Sequence, residues 1–229
     1  EVTIAELLQD NGYSTALLGK WHLAGDGAPW DYAPPPMPPG RPGGKGPLDP
    51  SLMPNAQGFD YFFGTPMHNG YTEKVDTKRF IVDLMRNGEV VKSPTDVNQL
   101  TKRYTAEAVN FIRQQQDHPF FLLLAHNMPH VSLGVSDPFK GRSARGLYGD
   151  VIEELDWSVG EILKELKQLN IEQQTLVVFL SDNGPPLGQL TDRNGGRAKP
   201  LRGGKYSNWE GGVRVPAIML WPGKIPENQ

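Results

Sequence analysis

The sequence predicts an α/β fold with a central, largely parallel sheet. Short apolar runs of strand length recur at Thr15–Leu18, Phe120–Ala125 and Thr175–Leu180. Segments of helical spacing stand between them, the alternation that covers a mostly parallel sheet with helices. Polar clusters follow the ends of these runs, where open α/β sheets bind their ligands.

The first helix is announced by Thr3-Ile4-Ala5-Glu6. This is a capping box, in which the Thr and Glu side chains satisfy the free N–H groups of a helix start. Leu7 and Leu8 supply an apolar face, and Gly12 suits the left-handed position that ends such a helix. The strand Thr15–Leu18 leads to Gly19-Lys20-Trp21-His22. If the strand continues, Lys20 and His22 share one face and Trp21 points away. An ammonium and an imidazole side by side suit an anion or a charged transition state.

Nine of the 21 prolines lie between Pro29 and Pro50, which rules out a regular helix or central strand there. The stretch reads as a long surface excursion, either a tolerated insertion or a loop lining a cleft. Gly58-Phe59-Asp60-Tyr61-Phe62-Phe63-Gly64 is an aromatic cluster that returns the chain to the core. Leu84 to Val91 reads as a hairpin turning at Asn87-Gly88. Thr101 to Gln115 has helical spacing through Tyr104, Ala108, Phe111 and Ile112. The run Phe120–Ala125 then predicts a strand buried on both faces. A long helix follows, with Val151, Ile152, Leu155, Val159, Ile162, Leu163, Leu166 and Leu169 as its apolar stripe. Thr175–Leu180 reads as another buried strand, and Ala217–Trp221 as the last. Internal repeats and low-complexity tails are absent from the sequence.

Composition narrows the function. The 229 residues can bury a sizeable core, and a net charge of −3 gives little support to nucleic-acid or membrane-surface binding. No run of about 18 apolar residues exists, so no membrane span is expected. The absence of cysteine excludes disulfides and thiolate zinc sites within these residues. The chain opens on Glu1 inside a helix cap, which reads as an internal piece of a longer protein, and no signal peptide is visible in it.

Three clusters carry chemistry. Ser181-Asp182-Asn183-Gly184 follows the Thr175–Leu180 strand and offers one charged and one neutral oxygen, suited to calcium or magnesium. The same residues also make a common turn sequence. His126-Asn127-Met128-Pro129-His130 follows the Phe120–Ala125 strand; a histidine there can be a proton donor, a ligand or a structural group. From Asp192 to Arg214 the chain is basic and glycine-rich, with Arg193, Arg197, Lys199, Arg202, Lys205 and Arg214 against Asp192 and Glu210. That stretch is either a solvated surface or the cradle of an anionic substrate.

Gly12 to Leu23 resembles a signature pattern of the sulfatase family. Pro129-His130, the Gly146-to-Ile162 helix, Ser181-Asp182-Asn183-Gly184 and Pro200-Leu201-Arg202-Gly203-Gly204-Lys205 continuing through Glu210-Gly211-Gly212-Val213-Arg214-Val215-Pro216 follow the family order. Within the family the chain is similar to bacterial enzymes of the arylsulfatase A and N-acetylgalactosamine-6-sulfatase kind. The resemblance implies an alkaline-phosphatase-like α/β/α sandwich with a mixed, largely parallel sheet. It implies hydrolysis of a sulfate monoester, with Lys20 and His22 flanking nucleophile and sulfate and His22 serving as a base. His130 and Lys205 would contact the sulfate and the leaving oxygen. Asp182 and Asn183 would bind one divalent cation, Ca2+ in most members, with Mg2+ the alternative.

The family's nucleophile is a formylglycine made from Cys or Ser in a Cys-x-Pro-Ser-Arg type signature, absent between Glu1 and Gln229. The resemblance therefore places it, with the paired aspartates of the metal site, upstream of Glu1. The family's smaller C-terminal subdomain would begin after Pro222-Gly223-Lys224-Ile225-Pro226. Residues 1–229 are then the central part of the catalytic domain and should not turn over alone. A periplasmic or extracellular parent is implied, acting on a small-molecule or glycan sulfate ester. The loops at Pro29–Pro50 and Met67–Asp76, His68 and Asn69 included, would shape specificity without naming the alcohol. Two alternatives stand beside this reading. One is a phosphatase or phosphodiesterase of the same superfamily, disfavoured because Asn183 is a poor zinc ligand. The other is a non-catalytic protein binding sulfated glycans through the basic loop.

Overall fold

The computed structural model describes residues 1–24, 48–69, 82–187 and 196–227. The Pro29–Pro50 excursion lies outside the described residues except for its last three positions, and so do the 70–76 half of the second loop and Asp192 and Arg193. The chain forms two units, Glu1–Ser136 and Asp137–Gln229.

In the first unit, α1 (Ile4–Asp10) starts on the expected capping box: Thr3 Oγ1 accepts from Glu6 N at 3.0 Å, and Glu6 accepts from Thr3 N at 2.7 Å. Such a cap contributes about 1 kcal/mol. Gly12, at φ +81°, turns the chain into β1 (Ser14–Lys20). After β1 come β2 (Tyr61–Thr65), β3 (Leu84–Arg86), β4 (Glu89–Lys92), α2 (Leu100–Gln114) and β5 (Phe120–Ala125). The expected hairpin forms β3 and β4, with Asn87 at φ +46° and Gly88 at φ +88° in the turn.

These strands make one sheet in the order β4-β3-β2-β1-β5. β1 runs parallel to β2 and β5, and β3 is antiparallel to both of its neighbours. Four of the five strands therefore point the same way, the mixed, mostly parallel sheet that the pattern predicts. Helices cover both faces. Leu17, Phe62 and Phe121 share the face that packs with Ala5 of α1, Met53 and Phe59. On the other face, Phe63 meets Tyr104 of α2 with ring centroids at 6.2 Å, and Phe120 meets Phe111 at 6.0 Å. Leu17, Leu18 and Phe62 are fully buried, each contributing about 1.5–3 kcal/mol.

One burial expectation is corrected here. β5 is half-buried rather than buried on both faces, because among the described residues it pairs only with β1 and forms a sheet edge.

The second unit holds α3 (Gly146–Gln168) and an antiparallel pair, β6 (Val177–Leu180) with β7 (Ala217–Leu220). The α3 helix forms where its spacing predicts, but its apolar stripe does not define the buried face. Val151 and Leu166 are buried, whereas Ile152 is exposed; Asp150, Glu154, Ser158 and Glu165 are buried instead. The cause is visible at Asp150, whose carboxylate accepts from Ser143 N at 2.7 Å and Gly141 N at 2.8 Å. Those backbone donors, Ser143 first, hold its pKa below the ordinary carboxylate value and let this one carboxylate sit buried. β6 is likewise not buried: Leu180 is 58% exposed, since β6 pairs only with β7 among the described residues.

Candidate active site

One row of small residues shapes the carboxyl end of the sheet. Gly19 sits in register with Gly64 on β2 and Ala125 on β5. A Cβ on Gly19 would lie 1.9 Å from the Ala125 carbonyl oxygen, and one on Gly64 would lie 1.8 Å from the Gly19 oxygen. Gly19 also has φ +114°, a conformation that side chains rarely adopt. Three backbones thus meet closely where the polar residues begin.

Lys20 is the last residue of β1 and is half-buried. The strand stops there, so the expected shared face of Lys20 and His22 does not arise. Instead Trp21 N donates to Thr65 O at 3.0 Å and His22 N to Pro66 O at 2.8 Å. His22 turns into the left-handed region at φ +62°, which ends strand alternation. Trp21 does point away as expected, packing edge-on against Phe59 and donating Nε1 to Leu52 O at 2.7 Å.

His22 nevertheless reaches a cluster. Its ring lies 5.2 Å from that of His68, edge to face, and His68 lies 5.3 Å from His130, nearly parallel. His130 is half-buried, and its Nδ1 contacts the Val131 carbonyl oxygen. Beneath the cluster, buried Asn127 donates to Thr65 Oγ1 at 2.9 Å and accepts from Tyr104 Oη at 2.9 Å. His126 belongs to this supporting layer, its ring 6.2 Å from Tyr104. Burial pushes its pKa down to about 4, so it stays neutral at pH 7. Of the two histidines in His126–His130, one faces the cluster and one is structural.

Asp182, Asn183 and Lys205 lie in the second unit. Asp182 and Asn183 follow β6, and Asn183 Nδ2 donates to Asp182 Oδ1 at 3.0 Å. The loop is bound to the basic stretch by Gly184 N donating to Gly212 O at 2.9 Å and Lys205 N to Pro185 O at 2.8 Å. Gly184 is required there, since a Cβ would lie 1.8 Å from the Gly211 oxygen. Distant sequence motifs, Ser181–Gly184 and Arg202–Arg214, are therefore neighbours. Arg202 stacks on Trp209 with its guanidinium carbon 3.5 Å from the ring centroid, and Lys205 Nζ lies 5.4 Å from the Tyr206 ring. These contacts give part of the basic stretch defined partners rather than a purely solvated face.

Among the described residues, no three His, Asp or Glu side chains gather to hold a metal. The Asp182–Asn183 pair supplies oxygen donors of the kind a hard cation takes, and Ca2+ needs 6–8 of them. The pair therefore fits part of such a shell. The His22–His68–His130 group has a different character, suited to contacting an anion. His68 and Asn69 were legible in the sequence only as loop residues; a histidine three positions past a buried strand end was the available signal.

A family model described as sulfatase matches residues 1–229, and the chain belongs to the sulfatase family. Over its whole length it is 31% identical to human (Homo sapiens) steryl-sulfatase, of which it spans 48%. It is 36% identical to the N-acetylgalactosamine-6-sulfatase of Canis lupus familiaris, over 99% of the chain and 41% of that protein. Among solved structures, the PsFucS1 sulfatase from Pseudoalteromonas sp. matches with a TM-score of 0.78 at 29% identity, over 98% of this chain and 46% of that one. Ps i-CgsB in complex with k-i-k-neocarrahexaose matches with a TM-score of 0.72 at 32% identity, over 97% and 48%. The alkaline-phosphatase-like fold is that of these sulfatases. The chain spans less than half the length of the relatives named here. No described helix is long and apolar enough to cross a membrane.

Proposed function

We propose that residues 1–229 form the central part of a sulfatase catalytic domain, and that the whole protein hydrolyses a sulfate monoester. The observation that carries this reading is the meeting of His22 and His130 across His68 past the end of β1, the strand whose last residue is Lys20. Sulfuryl transfer spreads charge over the sulfate oxygens and the departing alcohol oxygen. Preorganised cationic and N–H donors bind that state better than the substrate, which is how they accelerate the reaction.

In this proposal Lys20 and Lys205 hold sulfate oxygens as point charges. His130 donates toward the leaving oxygen, so that the alcohol departs protonated. His22, exposed at its turn, takes up a proton as the base of the second half-reaction. Asp182 and Asn183 hold one divalent cation, Ca2+ or Mg2+. By family membership, a formylglycine would supply the attacking oxygen, and a cation held by Asp182 and Asn183 would neutralise sulfate charge.

A glycan sulfate is the proposed substrate class, supported by the relative Ps i-CgsB, solved with a neocarrahexaose. A periplasmic or extracellular location belongs to the same proposal. The deciding experiment compares hydrolysis of p-nitrophenyl sulfate and p-nitrophenyl phosphate by the full-length protein. Preference for the sulfate is expected; a strong phosphate preference sinks the reading in favour of a phosphatase.

A further inference from the structure

His68 lies in a segment tied to both of the chains that carry the other two histidines. Residues 65–69 hold the end of β1 through Trp21 N to Thr65 O at 3.0 Å and His22 N to Pro66 O at 2.8 Å. The same segment holds the loop after β5: buried Asn69 donates Nδ2 to the carbonyls of His130 at 2.9 Å and Ser132 at 3.0 Å. Thr65 Oγ1 donates to Met67 O at 2.8 Å and so fixes the start of the segment. One half-buried side chain of this clamp then enters the space between His22 and His130. It meets the first ring at 68° and the second at 28°.

We infer that His68 is a positioning residue, whose ring sets the spacing and tilt of the His22 and His130 imidazoles. The kinetic consequence rests on the sulfatase reading; the contact itself does not. His22 stands on an exposed turn outside any strand, so its backbone alone does not select one ring orientation. Packing against a neighbouring flat ring does select one, and reacting groups lose rate steeply with small displacements. The shape of the ring is what matters in this role.

The test uses the full-length protein and p-nitrophenyl sulfate, with His68→Ala and His68→Phe. Alanine empties the space, and kcat is expected to fall about 10- to 100-fold with KM changed less than about threefold. Phenylalanine keeps a flat ring without its nitrogens and is expected to recover most of kcat. Three results overturn the inference: alanine retaining kcat within about twofold, a loss confined to KM, or a folded phenylalanine variant as impaired as alanine. Should the alanine variant fail to fold, His68→Leu, which fills the space without a flat ring, takes its place in the comparison, and a leucine variant with wild-type kcat overturns the inference. Histidine-ring NMR signals, recorded without substrate, give an independent reading. Shifts at His22 and His130 in the phenylalanine variant support the contact, and unchanged signals overturn it. If those signals move but the wild type strongly prefers aryl phosphate to aryl sulfate, the sulfatase reading fails while the contact stands.

Discussion

Asn69 Nδ2 donates to the main-chain carbonyl of His130 at 2.9 Å, tying the segment after β2 to the loop after β5. A second donation from the same amide, to Ser132 O at 3.0 Å, makes the tie two-pronged. Asn69→Ala leaves both carbonyls without this donor, and a cost of about 1–3 kcal/mol is expected. Denaturant unfolding measures it. On the proposed function, turnover of the full-length protein is expected to fall further than the unfolded fraction explains, because His130 loses its anchor. A variant with wild-type stability and turnover removes Asn69 from this role.

Gly19→Ala tests the close approach of the three strands. The new Cβ would meet the Ala125 carbonyl oxygen at 1.9 Å, at a residue with φ +114°. Strain and overpacking together predict a loss of about 3 kcal/mol. Thermal unfolding checks this; a melting temperature within a degree or so of wild type contradicts the geometry.

Lys205→Ala should separate chemistry from folding. The main chain of Lys205 is held by its N–H to Pro185 O, which alanine keeps, and its side chain is only half-buried. Turnover of sulfate ester is expected to drop at least about 100-fold, as for loss of a preorganised charge in a transition-state site. Unfolding should be nearly unchanged. Near-normal turnover takes Lys205 out of the proposed site.

Removal of divalent cations with a chelator is expected to abolish sulfate hydrolysis by the full-length protein, and Ca2+ to restore it. Asp182→Ala loses the charged member of the oxygen pair and should raise the Ca2+ concentration needed for half-recovery by at least about tenfold. Calorimetric titration with Ca2+ gives the same comparison without turnover. Equal Ca2+ affinity in both proteins contradicts the assignment of Asp182.

His126 makes stability depend on pH. Burial holds its pKa at about 4 in the folded protein, against an ordinary value of 6.5. Above that ordinary value both states are neutral and no penalty exists. Between pH 6.5 and 4 the unfolded chain binds the extra proton, so stability falls as pH falls across this window. The loss amounts to about 3 kcal/mol at most, at roughly 1.4 kcal/mol per unit. His126→Asn, which cannot titrate, should flatten this part of the profile in denaturant unfolding at pH 4.5 and pH 7. An unchanged slope means that His126 is not the group responsible.

Local rules explain which parts of the fold were legible beforehand. Thr3 and Glu6 announce a helix start because both ends of the capping box lie within one turn. Gly12 and Asn87-Gly88 announce their turns because positive φ favours glycine and asparagine. The order of strands and helices follows from such signals, and the family from motifs in sequence order. The α3 helix shows the limit. Its periodicity locates the helix but not its buried face, since the donors that draw Asp150 inward come from the separate segment at Gly141 and Ser143.

Sequence alone determined the α/β alternation and the family, and it nominated the residues of the proposed site: Lys20, His22, His130, Asp182, Asn183 and Lys205. It did so because covalent neighbours and helical or strand periods act over a few residues. Tertiary structure alone decided that β1 ends at Lys20, that His22 turns away from the strand, and that His68 stands between His22 and His130. Each of those outcomes depends on contacts between segments far apart in the chain, made by backbone groups whose partners no local pattern names.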